Sequence, residues 1–275
     1  MLTRLMTPIP EEYTKPAEQQ GKIVRVDYET AEETKHAYVY QPYDFDPTVP
    51  HDIYYLLHGG GGSAESLFGR EGDNVDIKNA IDHLIENGEM PPVLMVAPTY
   101  YTKTFADKGI QGSGLAVRAF PEELVKYLIP AIEGRNAVPR DRRFIGGFSM
   151  GSVTTWYALQ YCLDYFYTFL PMCGDSWALG EKGGGSQPEE TVRILEEAVK
   201  SQGYGPDDFF VYAMDGTKDI SYPNLTPMMR VMEQGSDLFD FGPQGNTVYL
   251  EQEDGIHTAD HAKQYFFFAL KDIYS

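Results

Sequence analysis

Two cysteines, Cys162 and Cys173, are all that the 275 residues hold. That is too few for a disulfide framework or a cysteine zinc site. Cys162 reads as a buried helix position and Cys173 as a strand end, so a bridge between them is disfavoured. Basic residues are scarce as well, 22 against 41 acidic ones, for a formal charge of -19. Such a surface repels phosphate backbones and anionic membranes, which argues against nucleic-acid and membrane partners. No apolar run approaches the length of a membrane span. The stretch from Met1 to Tyr13 lacks the uninterrupted apolar core of a secretory signal. A soluble protein is expected, either cytoplasmic or a processed form of a secreted one.

What is present is an ordinary globular balance, 42% hydrophobic and 23% charged, long enough for one large α/β domain over residues 1–275. Residues 1–20, rich in Pro, Glu and Gln, read as a surface arm. Lys22 to Tyr28 and Lys35 to Gln41 alternate like the strands of an antiparallel hairpin. Thereafter strands and helices take turns. Strands are expected at Ile53–Leu57, Val93–Ala97, Arg143–Gly147, Phe166–Met172, Phe209–Met214 and Thr247–Leu250. Helical spacing marks Val75–Asn87, Pro121–Ile132, Ser152–Leu163, Glu189–Ser201, Pro223–Glu233 and Ala259–Ile273. Apolar runs without alternation, separated by helices, predict an α/β fold with a mostly parallel central sheet and helices on both faces. Thr99 to Arg118 and Ser176 to Pro188 read as irregular, the second as an exposed loop near the site.

Gly147-Phe148-Ser149-Met150-Gly151 matches the G-x-S-x-G nucleophile elbow, a sharp strand-to-helix turn that lifts a serine hydroxyl above the sheet. The pentapeptide alone is weak, but a strand through Phe144 and Ile145 precedes it and a helix through Thr155, Trp156 and Leu159 follows. His58-Gly59-Gly60-Gly61-Gly62, at the end of an earlier strand, is the second signal. Charge developing on a tetrahedral intermediate needs backbone N–H groups aimed at it, and glycine lets the chain come close. Gly60, with Gly61 as the alternative, and Met150 are the candidate donors. His58 reads as an organiser of that loop, not as a base. No G-K-[ST] follows the glycines, which argues against a phosphate loop. Gly109 to Gly114 has no strand before it and is discounted as a nucleotide fingerprint.

In an α/β-hydrolase the acid and the base follow the serine in that order. Asp219, in the loop beyond the Phe209–Met214 strand, is favoured over Asp215, which is nearer the strand and suited to cap the turn. His257, after a glycine turn and before the last helix, is the candidate base. His261 lies four residues on, but no H-E-x-x-H accompanies it, so neither metal nor organic cofactor is called for. His36, His51 and His83 read as surface or half-buried histidines. These roles describe acyl transfer: His257 takes the Ser149 proton, Asp219 holds the imidazole, and water hydrolyses the acyl-enzyme.

The chain resembles the feruloyl esterases of carbohydrate esterase family 1, especially the esterase domains attached to bacterial xylanases, from about Tyr38 to Tyr274. The resemblance rests on Y-Y-L-L-H-G-G-G-G (Tyr54 to Gly62), F-I-G-G-F-S-M-G (Phe144 to Gly151) and T-T-W-Y (Thr154 to Tyr157). It continues in L-P-M-C-G-D-S-W (Leu170 to Trp177), D-G-T-K-D-I-S-Y (Asp215 to Tyr222) and the G-I-H segment ending at His257. It implies hydrolysis of esters joining ferulate, or a related hydroxycinnamate, to arabinose on xylan. It also implies that Trp177 lines the acyl pocket with Asp175 near the phenolic end, and Gly61 is counted with them among the substrate-contacting positions. The Gly183–Gly185 loop and the Thr99–Arg118 segment do not map cleanly onto the family. Acetylated xylan or small acyl esters are the alternative substrates, and a silent carbohydrate-binding scaffold is the reading from another class.

Overall fold

Along each apolar run, alternate residues face opposite sides of one sheet, and both sides are covered. Ile53, Tyr55 and Leu57 join one hydrophobic cluster while Tyr54 and Leu56 join the other. The computed structural model describes residues 2–3, 6–106, 109–134 and 136–275. Its strands are β1 (Leu2–Thr3), β2 (Lys22–Glu29), β3 (Thr34–Gln41), β4 (Asp52–Leu57), β5 (Val93–Ala97), β6 (Arg143–Phe148), β7 (Thr168–Met172), β8 (Phe210–Gly216) and β9 (Thr247–Gln252). Among the described residues they form one nine-stranded sheet in the order β1-β9-β8-β7-β6-β4-β5-β3-β2. The β2–β3 hairpin is antiparallel and joins β5 antiparallel. All other pairs are parallel.

The helices are α1 (Glu65–Phe68), α2 (Asp76–Glu86), α3 (Lys103–Ala106), α4 (Gly109–Glu123), α5 (Ile129–Glu133), α6 (Met150–Tyr161), α7 (Gly183–Ser186), α8 (Pro188–Ser201), α9 (Tyr222–Gly235) and α10 (Ala259–Ile273). In α2 the spacing of Ile77, Ala80, Ile81 and Leu84 makes one stripe, and all four are fully buried against Phe266, Phe267 and Leu270 of α10. Burying each such large aliphatic side chain contributes roughly 1.5–3 kcal/mol. Helices α4, α6, α8 and α9 cover the opposite face. The N-terminal arm is tied to this body: the Met6 N–H donates to Gln252 Oε1 at 2.9 Å, and Asn79 Nδ2 of α2 donates to the Thr14 carbonyl at 2.7 Å. No described helix is long and apolar enough to cross a membrane.

Two segments differ from the expectation. Much of Thr99–Arg118 is helical, in α3 and the first part of α4, with Asp107 and Lys108 outside the described residues. Three glycines mask the helical pattern there, and burial of Ala116, Val117 and Phe120 outweighs their low propensity. The helical run then takes a π turn at Leu124–Leu128, just ahead of Pro130, whose ring removes a regular hydrogen bond. The stretch read as an exposed loop, Ser176–Pro188, contains α7, and Gly183 and Gly184 are buried in it. A β-carbon on Gly184 would lie 2.8 Å from Asp175 Cβ, and one on Gly185 would lie 2.7 Å from the Asn224 backbone. These glycines permit close packing; they do not supply a flexible linker.

Candidate active site

The parallel strands deliver their following loops to one end of the sheet, where α/β sites assemble. There β6 ends at Phe148 and α6 begins at Met150, with Ser149 between them at φ 56°, ψ -113°. This backbone is uncommon for a residue with a side chain and raises the hydroxyl over the strand end. The flanking glycines are steric requirements: a β-carbon on Gly147 would meet the Gly151 carbonyl carbon at 2.6 Å, and one on Gly151 would meet the Leu57 oxygen at 2.4 Å.

The structure brings Ser149, His257 and Asp219 together from the ends of β6, β9 and β8. His257 Nε2 lies 2.8 Å from Ser149 Oγ, and its Nδ1 lies 2.6 Å from Asp219 Oδ1. Asp219 is buried, which opposes ionisation, but hydrogen bonds from His257 and Ser221 hold its carboxyl below the usual range. The Phe148 ring packs on the imidazole. Asp215 is not in contact with His257 by hydrogen bond; it accepts from the Gly216 N–H and lies 2.8 Å from the Ser221 hydroxyl oxygen.

The glycine loop turns tightly, with the Gly62 N–H on the Gly59 carbonyl at 3.0 Å and Gly61 at φ 75°. Gly61 donates its N–H to Tyr101 Oη at 2.9 Å. Among the described residues no protein acceptor takes the Gly60 or Met150 N–H, and a β-carbon on Gly60 would sit 3.2 Å from Met150 Cγ. Those two N–H groups therefore have their hydrogen bonds to spare, Met150 as the first residue of its helix next to Ser149 and Gly60 against the Met150 side chain. His58 braces the loop from behind, through Nδ1 to the Gly59 carbonyl at 2.7 Å and Nε2 to Thr99 Oγ1 at 2.8 Å. Burial pushes its pKa down to about 4, which keeps it neutral.

An apolar cleft opens beside Ser149, lined by Met150, Val153, Trp177, Ile220 and Asn224, with Asp175 in its wall. Trp177 Nε1 donates to Asp175 Oδ1 at 3.3 Å, and the Gly184 N–H donates to Asp175 Oδ2 at 2.9 Å. Burial raises Asp175 to about 6. Sequence reasoning reached Trp177 and Asp175 but missed Ile220, which is 73% exposed at the rim, and Asn224. No motif marks those two; only the fold of the loop after β8 brings them there. Among the described residues, Cys173, Asp219 and His257 place a thiol, a carboxylate and an imidazole within 4.8 Å of one another. The 2.6 Å separation of Nδ1 and Oδ1 fits a shared proton and leaves no room for an ion between them.

Sheet order, elbow and loop placement define an α/β-hydrolase. No protein-family model matches the chain. Endo-1,4-beta-xylanase Y of Acetivibrio thermocellus is 32% identical over 278 residues, covering 96% of this chain, which spans 24% of that curated relative's length. The feruloyl esterase module from Clostridium thermocellum, solved as a mutant in complex with sinapinate, superposes with a TM-score of 0.83 at 30% identity, over 98% of this chain and 93% of the module. A CE1 ferulic acid esterase from the anaerobic fungus Anaeromyces mucronatus shares the fold at 15% identity and a TM-score of 0.69, over 98% of this chain and 97% of that one. The chain belongs to the feruloyl esterase family, a group of carboxylic ester hydrolases.

Proposed function

We propose that this protein is a serine esterase that hydrolyses hydroxycinnamoyl esters, ferulate among them, carried by arabinoxylan. The observation that carries the reading is the unbroken line Ser149–His257–Asp219, with contacts of 2.8 and 2.6 Å, at the mouth of a cleft walled by Trp177. The flat apolar face of Trp177 suits a cinnamoyl ring, and offset stacking of such rings is worth about 0.5–1.5 kcal/mol beyond area burial. Asp175, held by Trp177 and Gly184, is an acceptor suited to a phenolic hydroxyl.

In this reading the ester carbonyl lies over Ser149 with its oxygen toward the Gly60 and Met150 N–H groups. His257 takes the hydroxyl proton as Ser149 Oγ bonds to the carbonyl carbon, and the oxyanion forms against the two donors. The imidazolium, stabilised by Asp219, returns the proton to the departing sugar hydroxyl. A water molecule then repeats the sequence on the acyl-enzyme, His257 acting again as base and acid. Gly61, with its N–H taken by Tyr101, serves as an uncluttered turn facing the substrate.

The test is release of ferulate and p-coumarate from arabinoxylan, resolved by chromatography, together with turnover of methyl ferulate against p-nitrophenyl acetate. Preference for the cinnamoyl ester is expected. Equal or better acetate turnover would overturn the acyl assignment in favour of a small-acyl esterase. Ser149→Ala is expected to lower kcat by about 10⁶-fold, leaving the residual rate of binding and oxyanion stabilisation.

A further inference from the structure

Behind Asp219 lies a second carboxyl, Asp215, fully buried and joined to it through one hydroxyl. Ser221 Oγ lies 2.8 Å from Asp215 Oδ1, 3.0 Å from Asp215 Oδ2 and 2.7 Å from Asp219 Oδ1. A hydroxyl has a single proton to donate and two lone pairs to accept with. Asp219 Oδ1 also receives the Ser221 N–H at 2.8 Å and His257 Nδ1 at 2.6 Å, the surroundings of an ionised carboxylate. Were Asp215 ionised too, two buried anions would compete for the one Ser221 proton, and one short oxygen–oxygen contact would hold none. A proton on Asp215 removes the conflict.

We propose that Asp215 is a neutral carboxylic acid in the working enzyme, donating to Ser221 Oγ while the Ser221 hydroxyl donates to Asp219 Oδ1. Asp215 and Ser221 are then positioning residues for the triad, and the inference rests on reading Asp219 as its acid. The groups facing Asp215 supply no fixed positive charge. They are the Cys173 thiol after β7, Asp219 and Ser221 after β8, Tyr249 of β9 and Tyr265 of α10, with His257 beyond Asp219. Burial, then the nearness of Asp219, raises Asp215 to about 8, so the acid form dominates at neutral pH. Ionisation breaks the directed chain: Ser221 can turn its proton to Asp215, and Asp219 loses a donor while gaining a like charge beside it. The rate should therefore fall on the alkaline side.

Infrared spectra of the wild-type protein should contain a protonated-carboxyl C=O band at about pH 7.5, where Asp175 is ionised, that bleaches by about pH 9.5 and is missing from Asp215→Asn. Asp215→Ala should lose about a hundredfold in kcat on methyl ferulate with KM changed little, and Asp215→Asn, whose amide can donate to Ser221, should recover most of that loss. The asparagine variant should also lack the alkaline decline in kcat. A wild-type spectrum without the band, a band that persists in Asp215→Asn, or superposable pH profiles would overturn the proposal. The infrared readout does not depend on activity. An active Asp219→Asn would sink the triad reading while leaving the Asp215 proton to be judged by its band.

Discussion

Phe148 and His257 lie ring against ring, 4.6 Å between centroids and 36° between planes. The residue that precedes Ser149 thus supports the His257 ring, and the elbow positions both partners of the Ser149–His257 contact. Phe148→Ala removes that wall and frees the imidazole to rotate. A loss of about tenfold to a hundredfold in kcat is expected with KM within about twofold, since a displacement near 1 Å suffices for such an effect. Phe148→Leu should retain more activity. Steady-state kinetics on methyl ferulate decide it, and a loss confined to KM would contradict the supporting role.

Asp219→Asn keeps the shape of the acid and removes its charge. The amide can donate to Nδ1, which favours the tautomer with its proton on Nε2, the wrong one for accepting from Ser149. A fall in kcat of about 10⁴-fold is expected, with the fold intact. Comparing it with Asp215→Asn on the same substrate separates the two carboxyls, and a larger loss at Asp215 would reverse their roles.

The wall of the cleft should itself respond to pH. Burial raises Asp175 to about 6, so below that value the side chain gains a proton and loses an acceptor for Trp177 and for a phenolic hydroxyl. KM for methyl ferulate should rise severalfold as the pH falls from about 7 to about 5. In Asp175→Asn this dependence should vanish. The same slope in both proteins would rule Asp175 out as its source.

Stability offers a reading of Asp215 apart from catalysis. Its carboxyl titrates near 8 in the folded protein against 3.8 ordinarily, so between those values the native state keeps a proton the unfolded chain has released. The stabilisation from this group is complete below the unfolded value and is lost as pH rises through the folded one. Within that window each pH unit costs up to about 1.4 kcal/mol. Asp215→Asn lacks this term, so its denaturant midpoint should gain on the wild type from about pH 5 to about pH 8. A constant difference between the two would contradict a raised Asp215.

Steric demands explain what could be read in advance. The elbow tolerates almost nothing but glycine at 147 and 151, so Ser149 stands out in the chain, and the strand-by-strand order then directs attention to Asp219 and His257. The β2–β3 hairpin and the apolar runs of β4 to β9 are legible because burial on two faces leaves a compositional trace. Helix α4 was not legible, since Gly112 and Gly114 lower its propensity and tertiary burial restores it; Gly114 sits against the Trp177 ring. Helix α7 was hidden for a related reason, its glycines resembling a linker while answering to crowding by Asn224. Ser221 and Ile220 are ordinary residue types whose importance arises only from the turn after β8.

Helix α7 is wedged between Asp175 and Asn224 with no space for a β-carbon at Gly184 or Gly185. That side of the cleft behaves as masonry. In the proposed reading, acyl groups differing by a methoxy substituent should be told apart by the volume of side chains such as Ile220 and Val153, not by a yielding loop. Redesign of substrate scope should begin at those two positions and leave the glycines alone.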